Sequence, residues 1–440
     1  MIETLFRRII SSIPHPESVD LLAQLDRIEP QAMHGQPPVI WARANGFIVE
    51  DPFGNKFIDF TSGVLLSNCG HNHPRVNKAI AEQLDRGLLA SYIFPTQERV
   101  LLLEALLRHA PIGLDQALLF STGAEAVEAA LKLAKQQSKK VSSTKSIVIS
   151  FEGSFHGRTL GAQLAGGIPM LKSWIEPNNM HFIQLPFPDP DDEDLCHFST
   201  FECALTQREI RFDDVCAVMF ETYQGGVVKF ASSSFVQQLR TWCTKHRAIL
   251  IFDEVQSGFG RTGKWWGFEH YEVIPDLIAC GKGISGSLPL SAVIGSHKIM
   301  NIFPPGAMST THSGNPLCCV AATASIEVLE AENLIERCAL LGQHVASRLQ
   351  DLANQLKPVG LVSGRGLVYG IHIVDANKHP DSQLAQKIVM ETVRRGVILF
   401  NPVGLNGATI KINPPLCITQ EAFDEGLDVF QDAVEAACEM

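Results

Sequence analysis

The amino-acid sequence predicts an α/β fold whose main sheet is mostly parallel. Three observations predict it: short apolar runs of strand length that do not alternate with polar residues, helical segments between several of those runs, and polar or charged residues directly after them. Unalternating strands are expected where helices cover both faces of a sheet. The chain has 440 residues, 45% hydrophobic and 19% charged, which allows two or three domains and a large core.

Residues 1–75 mix turn signals (HGQPP at 34–38, DPFGNKFIDF at 51–60) with short apolar alternation, so small hairpin strands are expected in an N-terminal arm and part of a small domain. The opening MIETLFRRII contains two arginines, and Glu3 interrupts its apolar residues. It predicts a short amphipathic docking helix rather than a signal or membrane segment.

Residues 76–330 form the expected large domain. HPRVNKAIAEQL (73–84) and QERVLLLEALLRHA (97–110) repeat apolar residues at three and four, the helical period. The strand candidates are QALLF (116–120), SIVISF (146–151), CAVMF (216–220), AILIF (248–252), DLIAC (276–280) and SAVIG (291–295). AEAVEAALKLAKQQ (124–137) and FVQQLRTWCTKH (235–246) are helical segments between them. Residues 331–440 predict a separate α+β domain: a broken helix within IEVLEAENLIERCALLGQHVASRLQDLANQL, strands in VSGRGLVYGIHIV, VILFN and ATIKIN, and a closing helix.

Composition excludes some partners. A net charge of -11 without any basic tract argues against nucleic acid and anionic membranes. The 11 cysteines show no CxxC pair, which suits reduced, buried thiols and a reducing, cytoplasmic compartment. His71 and His73 in GHNHP lack a third ligand and read as a turn, and DPDDEDL (189–195) reads as a solvated loop, so no metal is expected.

Ligands of open α/β sheets collect beyond the carboxyl ends of parallel strands. Standing there are Ser121-Thr122-Gly123-Ala124, Phe155-His156-Gly157, Glu221, Asp253 and Lys282. STGAEAVEAALKLA is a capped helix start, or a seat where the Gly123 and Ala124 amides meet a phosphate. An ionised Asp253 beside a core requires a protonated partner, either Lys282 or a ligand. Lys282 lies between Gly281 and Gly283, and partial burial makes its amine a nucleophile toward a carbonyl. Phosphate seat, carboxylate and lysine together point to pyridoxal phosphate, whose ring nitrogen, aldehyde and phosphate need those three groups.

The motifs STGAEAVEAALKLAK, SFHGRT, IFDEVQSGFGRTG, PDLIACGKGISGSLPLSAVIG and THSGNP resemble those of class III aminotransferases of the fold-type I pyridoxal phosphate superfamily, from about residue 40 to the C-terminus. The resemblance implies a large domain with a mostly parallel seven-stranded sheet and a smaller α+β domain built from both terminal segments. It implies that Lys282 bonds the cofactor and moves the substrate proton, and that Asp253 faces the pyridinium nitrogen. Val255 and Phe155 match the residues on the two ring faces, and Gln256 the one near the phenolic oxygen. Thr122, Gly123 and Ala124 match the phosphate seat. Thr311 matches a phosphate ligand supplied by the neighbouring subunit, which implies a homodimer with active sites at the subunit interface. His156 and Glu221 are further cofactor-side candidates, the histidine orienting the Phe155 turn and the glutamate standing behind the cofactor. Val64, Arg158 and Lys411 are the substrate-binding candidates.

Two positions depart from the 4-aminobutyrate-type pattern. Where such members read roughly EPxQGEGG, this chain reads ETYQGGVV (221–228), so Gly226 replaces the second glutamate. In ATIKINPPLCI (408–418), Lys411 falls at the arginine that glutamate pairs with. Lysine lacks the planar fork that grips a carboxylate at two points. The expected activity is ping-pong transfer of an amino group between a primary amine or ω-amino acid and an oxo acid, with a diamine, amino sugar or amino alcohol as donors lacking an α-carboxylate. The rivals are an aminomutase or amino-acid racemase on the same scaffold, and a non-catalytic ligand-binding relative.

Overall fold

The computed structural model describes residues 1–175, 181–404 and 406–439. They form two compact units, Pro74–Ile335 and Met1–His73 with Glu336–Met440.

The first unit is organised by seven strands: β1 (Gln116–Phe120), β2 (Ile147–Phe151), β3 (Phe182–Leu185), β4 (Val215–Glu221), β5 (Ile249–Asp253), β6 (Leu277–Cys280) and β7 (Ser291–Gly295). Their order is β1-β7-β6-β5-β4-β2-β3. Parallel pairing joins β6, β5, β4, β2 and β3, whereas β7 runs antiparallel to both its neighbours. The reversal has a simple cause. Only residues 281–290 separate β6 from β7, too few for the crossover that a parallel pair requires.

Every residue of β4 and β5 is buried, as expected of central strands covered on both faces. Helix Gly123–Lys139 packs Ala126, Val127, Ala130 and Ala134 into one core with Met219, Ile251 and Val293. β3 escapes the apolar-run criterion because it is an edge strand with only Leu185 buried. The helix expected around residue 330 is two: Pro316–Ala331 and Leu334–Gln355, interrupted where Asn333 takes a positive φ of 50°.

In the second unit, the N-terminal docking helix is not formed. Ile2–Glu3 pairs antiparallel with Arg8–Ile9 as a hairpin, and Arg8 continues onto the strand Lys56–Asp59. Thr4 closes the turn by accepting the Arg7 amide at 2.9 Å, and the Arg7 guanidinium reaches Glu425 at 2.6 Å. Ten residues make a marginal helix, and these long-range bonds outweigh it. Strands Arg43–Asn45, Ile48–Glu50 and Lys56–Asp59 follow as an antiparallel meander, joined in parallel by Val397–Ile398. A separate antiparallel sheet consists of Val359–Arg365, Val368–Ile373 and Thr409–Ile412. His71 is held between Asp59 at 2.8 Å and Ser67 at 3.2 Å. No described helix is long and apolar enough to cross a membrane.

Candidate active site

The parallel register brings the sequence candidates to one edge of the sheet. Asp253 ends β5 with its Cα opposite Glu221 on β4 and Ala279 on β6, and Lys282 follows two residues after β6 ends. Lys282 is held at φ 42°, in the left-handed region where a side-chain-bearing residue is strained. Removal from water lowers the pKa of its amine, opposed by the charges of Asp253 and Glu221. No described hydrogen bond or ion pair occupies that amine.

The partner of Asp253 is His156, not Lys282. His156 Nδ1 lies 2.7 Å from Asp253 Oδ2, both side chains buried, and the Val255 amide donates to Asp253 Oδ1 at 3.1 Å. Burial opposes a charged imidazole, but the hydrogen bond and charge of Asp253, with the charge of Glu221, prevail and raise the His156 pKa. Its Nε2 is buried without a hydrogen-bond partner among the described residues. The expectation that His156 orients the Phe155 turn therefore understates it, because this ring sets the hydrogen bonding of Asp253.

Thr122 caps helix Gly123–Lys139 in a reciprocal box: its hydroxyl accepts the Glu125 amide at 3.2 Å, and the Glu125 carboxylate accepts the Thr122 amide at 2.9 Å. The Gly123 and Ala124 amides have no described partner and stand open at the positive end of the helix. Gly123 also packs closely, since a Cβ there would lie 2.9 Å from Val255 Cγ1, while one on Gly281 would lie 3.6 Å from the Gly123 Cα. Helix start, Val255 and the Gly281–Lys282 turn thus converge. An open pair of amides, an unengaged lysine amine and a carboxylate hydrogen-bonded to a buried imidazole fit the phosphate, aldehyde and ring nitrogen of pyridoxal phosphate.

Glu221 is buried, accepting the Phe155 amide on Oε2 and the Gly225 amide on Oε1, each at 3.2 Å. Burial first, offset by His156 and reinforced by Asp253, pushes its carboxyl up to about 7. The Phe155 ring carries the exposed Arg158 guanidinium over it at 5.9 Å. Gln256 adjoins the same turn, because a Cβ on Gly225 would lie 2.5 Å from its Nε2. Sequence reasoning missed Glu254, whose fully buried carboxyl accepts the Thr222 hydroxyl and the Gly267 and Phe268 amides, the latter two at 2.7 and 3.1 Å. Burial moves it, too, to about 7. The signal available was an acidic residue placed directly after Asp253.

Other candidates lie elsewhere. Thr311 is exposed ahead of helix Pro316–Ala331, with no described bond to the strand-end cluster. Val64 and Lys411 belong to the other unit. Val64 is half-exposed at φ 64°, in a turn (Ser62–Leu65) whose four residues all have positive φ. Lys411 is buried, with its Cα opposite Gly370.

A family model described as aminotransferase class-III matches residues 31–434. A 4-aminobutyrate aminotransferase of Mycobacterium leprae is 34% identical over 437 residues, covering 96% of this chain and 97% of that protein. An alanine/serine racemase of Pyrococcus horikoshii is 29% identical, with 98% and 93% covered. Among solved structures, the ornithine aminotransferase of Toxoplasma gondii, reported with partial occupancy of pyridoxal phosphate at its active site, superposes with a TM-score of 0.84 at 27% identity, covering 96% of this chain and 95% of that one.

Proposed function

This chain belongs to the class III aminotransferases, pyridoxal phosphate-dependent enzymes that pass an amino group between an amine and an oxo acid, and from that premise we propose the residue roles and donor class that follow. The cofactor supplies an aldehyde that bonds the amine and a ring that accepts its electrons. Lys282 holds the cofactor and, with its pKa lowered, takes and returns the proton at the substrate carbon through Nζ. Asp253, tied to His156, faces the ring nitrogen and keeps it protonated. Thr122, Gly123 and Ala124 seat the phosphate, Val255 and Phe155 cover the ring faces, and Gln256 and Glu221 border it.

The observation that carries these roles is the shared strand edge of Asp253 and Lys282 beside the open Gly123 and Ala124 amides. The direct test follows the visible absorbance of the lysine-bound cofactor while single amines are added. Loss of that band in Lys282→Ala and its bleaching by a donor in wild type are expected. A wild-type protein that stays colourless after cofactor addition overturns the assignment.

The enzyme acts as a cytoplasmic homodimer with Thr311 completing the partner's phosphate site. Supporting a second copy is a run of exposed apolar residues in the large unit, including Leu88, Leu89, Ile93 and Phe94, the last 73% exposed. Gly226 and Lys411, in place of a glutamate and an arginine, favour donors without an α-carboxylate, with Arg158 and Val64 contacting the substrate. Faster turnover of 4-aminobutyrate with 2-oxoglutarate than of any diamine, amino sugar or amino alcohol removes that donor class. The resemblance to a racemase favours a second reading on the same lysine. Turnover that continues only when both amine and oxo acid are present rejects it.

A further inference from the structure

Glu221 has a geometry that its place behind the cofactor does not explain. Each carboxylate oxygen accepts one backbone amide from a different segment, Phe155 on Oε2 and Gly225 on Oε1. The two segments follow different strands and are joined a second time at their base, where Gln224 Nε2 donates to the Glu152 carbonyl at 2.5 Å. The Phe155 segment is anchored by His156 on Asp253. The turn after β4 is also braced at its base by Tyr271, which donates to the Thr222 carbonyl at 2.5 Å, and by Tyr223, which donates to the Gln256 carbonyl at 3.1 Å. The turn itself closes as a hairpin, with Tyr223–Gln224 paired to Lys229–Phe230 and the Val227 and Val228 amides donating to the Gln224 carbonyl, and Glu221 ties its Gly225 end to the Phe155 segment. There the backbone closes so tightly on the carboxylate that a Cβ on Gly225 would lie 2.6 Å from Glu221 Oε1.

We propose that Glu221 is a positioning residue that sets donor selectivity: by tying the Phe155 segment to the Gly225–Gly226 turn, it fixes the width of the space that an amine must enter beside Asp253 and Lys282. The proposal rests on the aminotransferase reading and narrows it. A carboxylate suits this task because two acceptor oxygens can each take an N–H. Glutamine keeps one acceptor and turns an NH2 toward an amide, while aspartate keeps the charge and loses a methylene of reach. Both variants should loosen the upper tie between the Gly225 end of the turn and the Phe155 segment while the Gln224–Glu152 bond stays. Tie and charge are thereby separable.

The test measures the amine half-reaction of the cofactor-loaded enzyme with slender and bulky primary amines, for wild type, Glu221→Gln and Glu221→Asp. Expected in both variants is a rise of about tenfold in the concentration of the preferred donor needed for half-maximal rate, with a smaller change in the maximal rate and a narrowed ratio between slender and bulky donors. Retention of the cofactor band shows that the site is still loaded. Wild-type selectivity in Glu221→Asp overturns the proposal by showing that charge suffices. A uniform loss for all amines together with loss of cofactor overturns it by showing a purely structural residue. Failure of the aminotransferase reading looks different, since no amine would then bleach the wild-type band.

Discussion

Replacing His156 by leucine tests the charge relay at its least exposed point. The substitution removes the 2.7 Å hydrogen bond to Asp253 Oδ2 and leaves the carboxylate with the Val255 amide at 3.1 Å on its other oxygen. A hydrogen bond to a charged group contributes about 1.5–3 kcal/mol. If Asp253 needs that bond to hold the cofactor nitrogen protonated, the same energy appears in the barrier, slowing the amine half-reaction by about 10- to 150-fold. The assay is stopped-flow bleaching of the cofactor band under single-turnover conditions, alongside its titration with pH. His156→Asn places an amide nitrogen near the position of Nδ1 and should recover part of the rate. A leucine variant within twofold of wild type, or an asparagine variant no faster than leucine, would show that His156 fills space and does nothing for Asp253.

Two further outcomes follow from the same cluster. Gly123→Ala puts a methyl 2.9 Å from Val255 Cγ1, and overpacking of this kind costs about 1–3 kcal/mol, so cofactor affinity by equilibrium dialysis should fall roughly 5- to 150-fold. The cofactor-free protein should also lose stability as pH rises from 4.5 to about 7, because the buried Glu221 and Glu254 carboxyls keep protons that the unfolded chain has released. Each contributes of the order of 3 kcal/mol across that window, all of it present below pH 4.5. Denaturant titration at several pH values should show a shallower decline in Glu254→Gln than in wild type, and equal slopes would contradict the burial account.

The sheet was largely legible because its central strands are apolar along their whole length. QALLF and SAVIG coincide with β1 and β7 to the residue. The edge strand β3 was not, since one buried residue in four leaves no apolar run. The N-terminal hairpin was hidden for a different reason: the Arg7–Glu425 contact spans 418 residues, and nothing in MIETLFRRII anticipates it. Lys282, Asp253 and the Thr122 cap were visible as candidates because each stands at a strand's last residue or within two residues of it. His156 and Asp253, 97 residues apart, could not be paired by any local pattern.

That division follows from how the site balances charge. The residues proposed to meet a ligand sit at strand ends, where position alone identifies them; residues that make their ionisation tolerable lie deeper and are chosen by contact. Asp253 raises the pKa of His156 through the 2.7 Å contact between them, which favours a compensating positive charge there. Burial lowers the pKa of the Lys282 amine and pushes the Glu221 and Glu254 carboxyls up to about 7, so all three resist ionisation. A phosphate, carrying about -1.5 to -2, would be unwelcome among fully ionised buried carboxylates. The proposed seat for it is instead the open pair of Gly123 and Ala124 amides at the helix N-terminus. Making Glu221 permanently neutral removes one repulsion from that cluster, so tighter cofactor retention in Glu221→Gln, alongside its poorer donor selection, is the combination this balance requires.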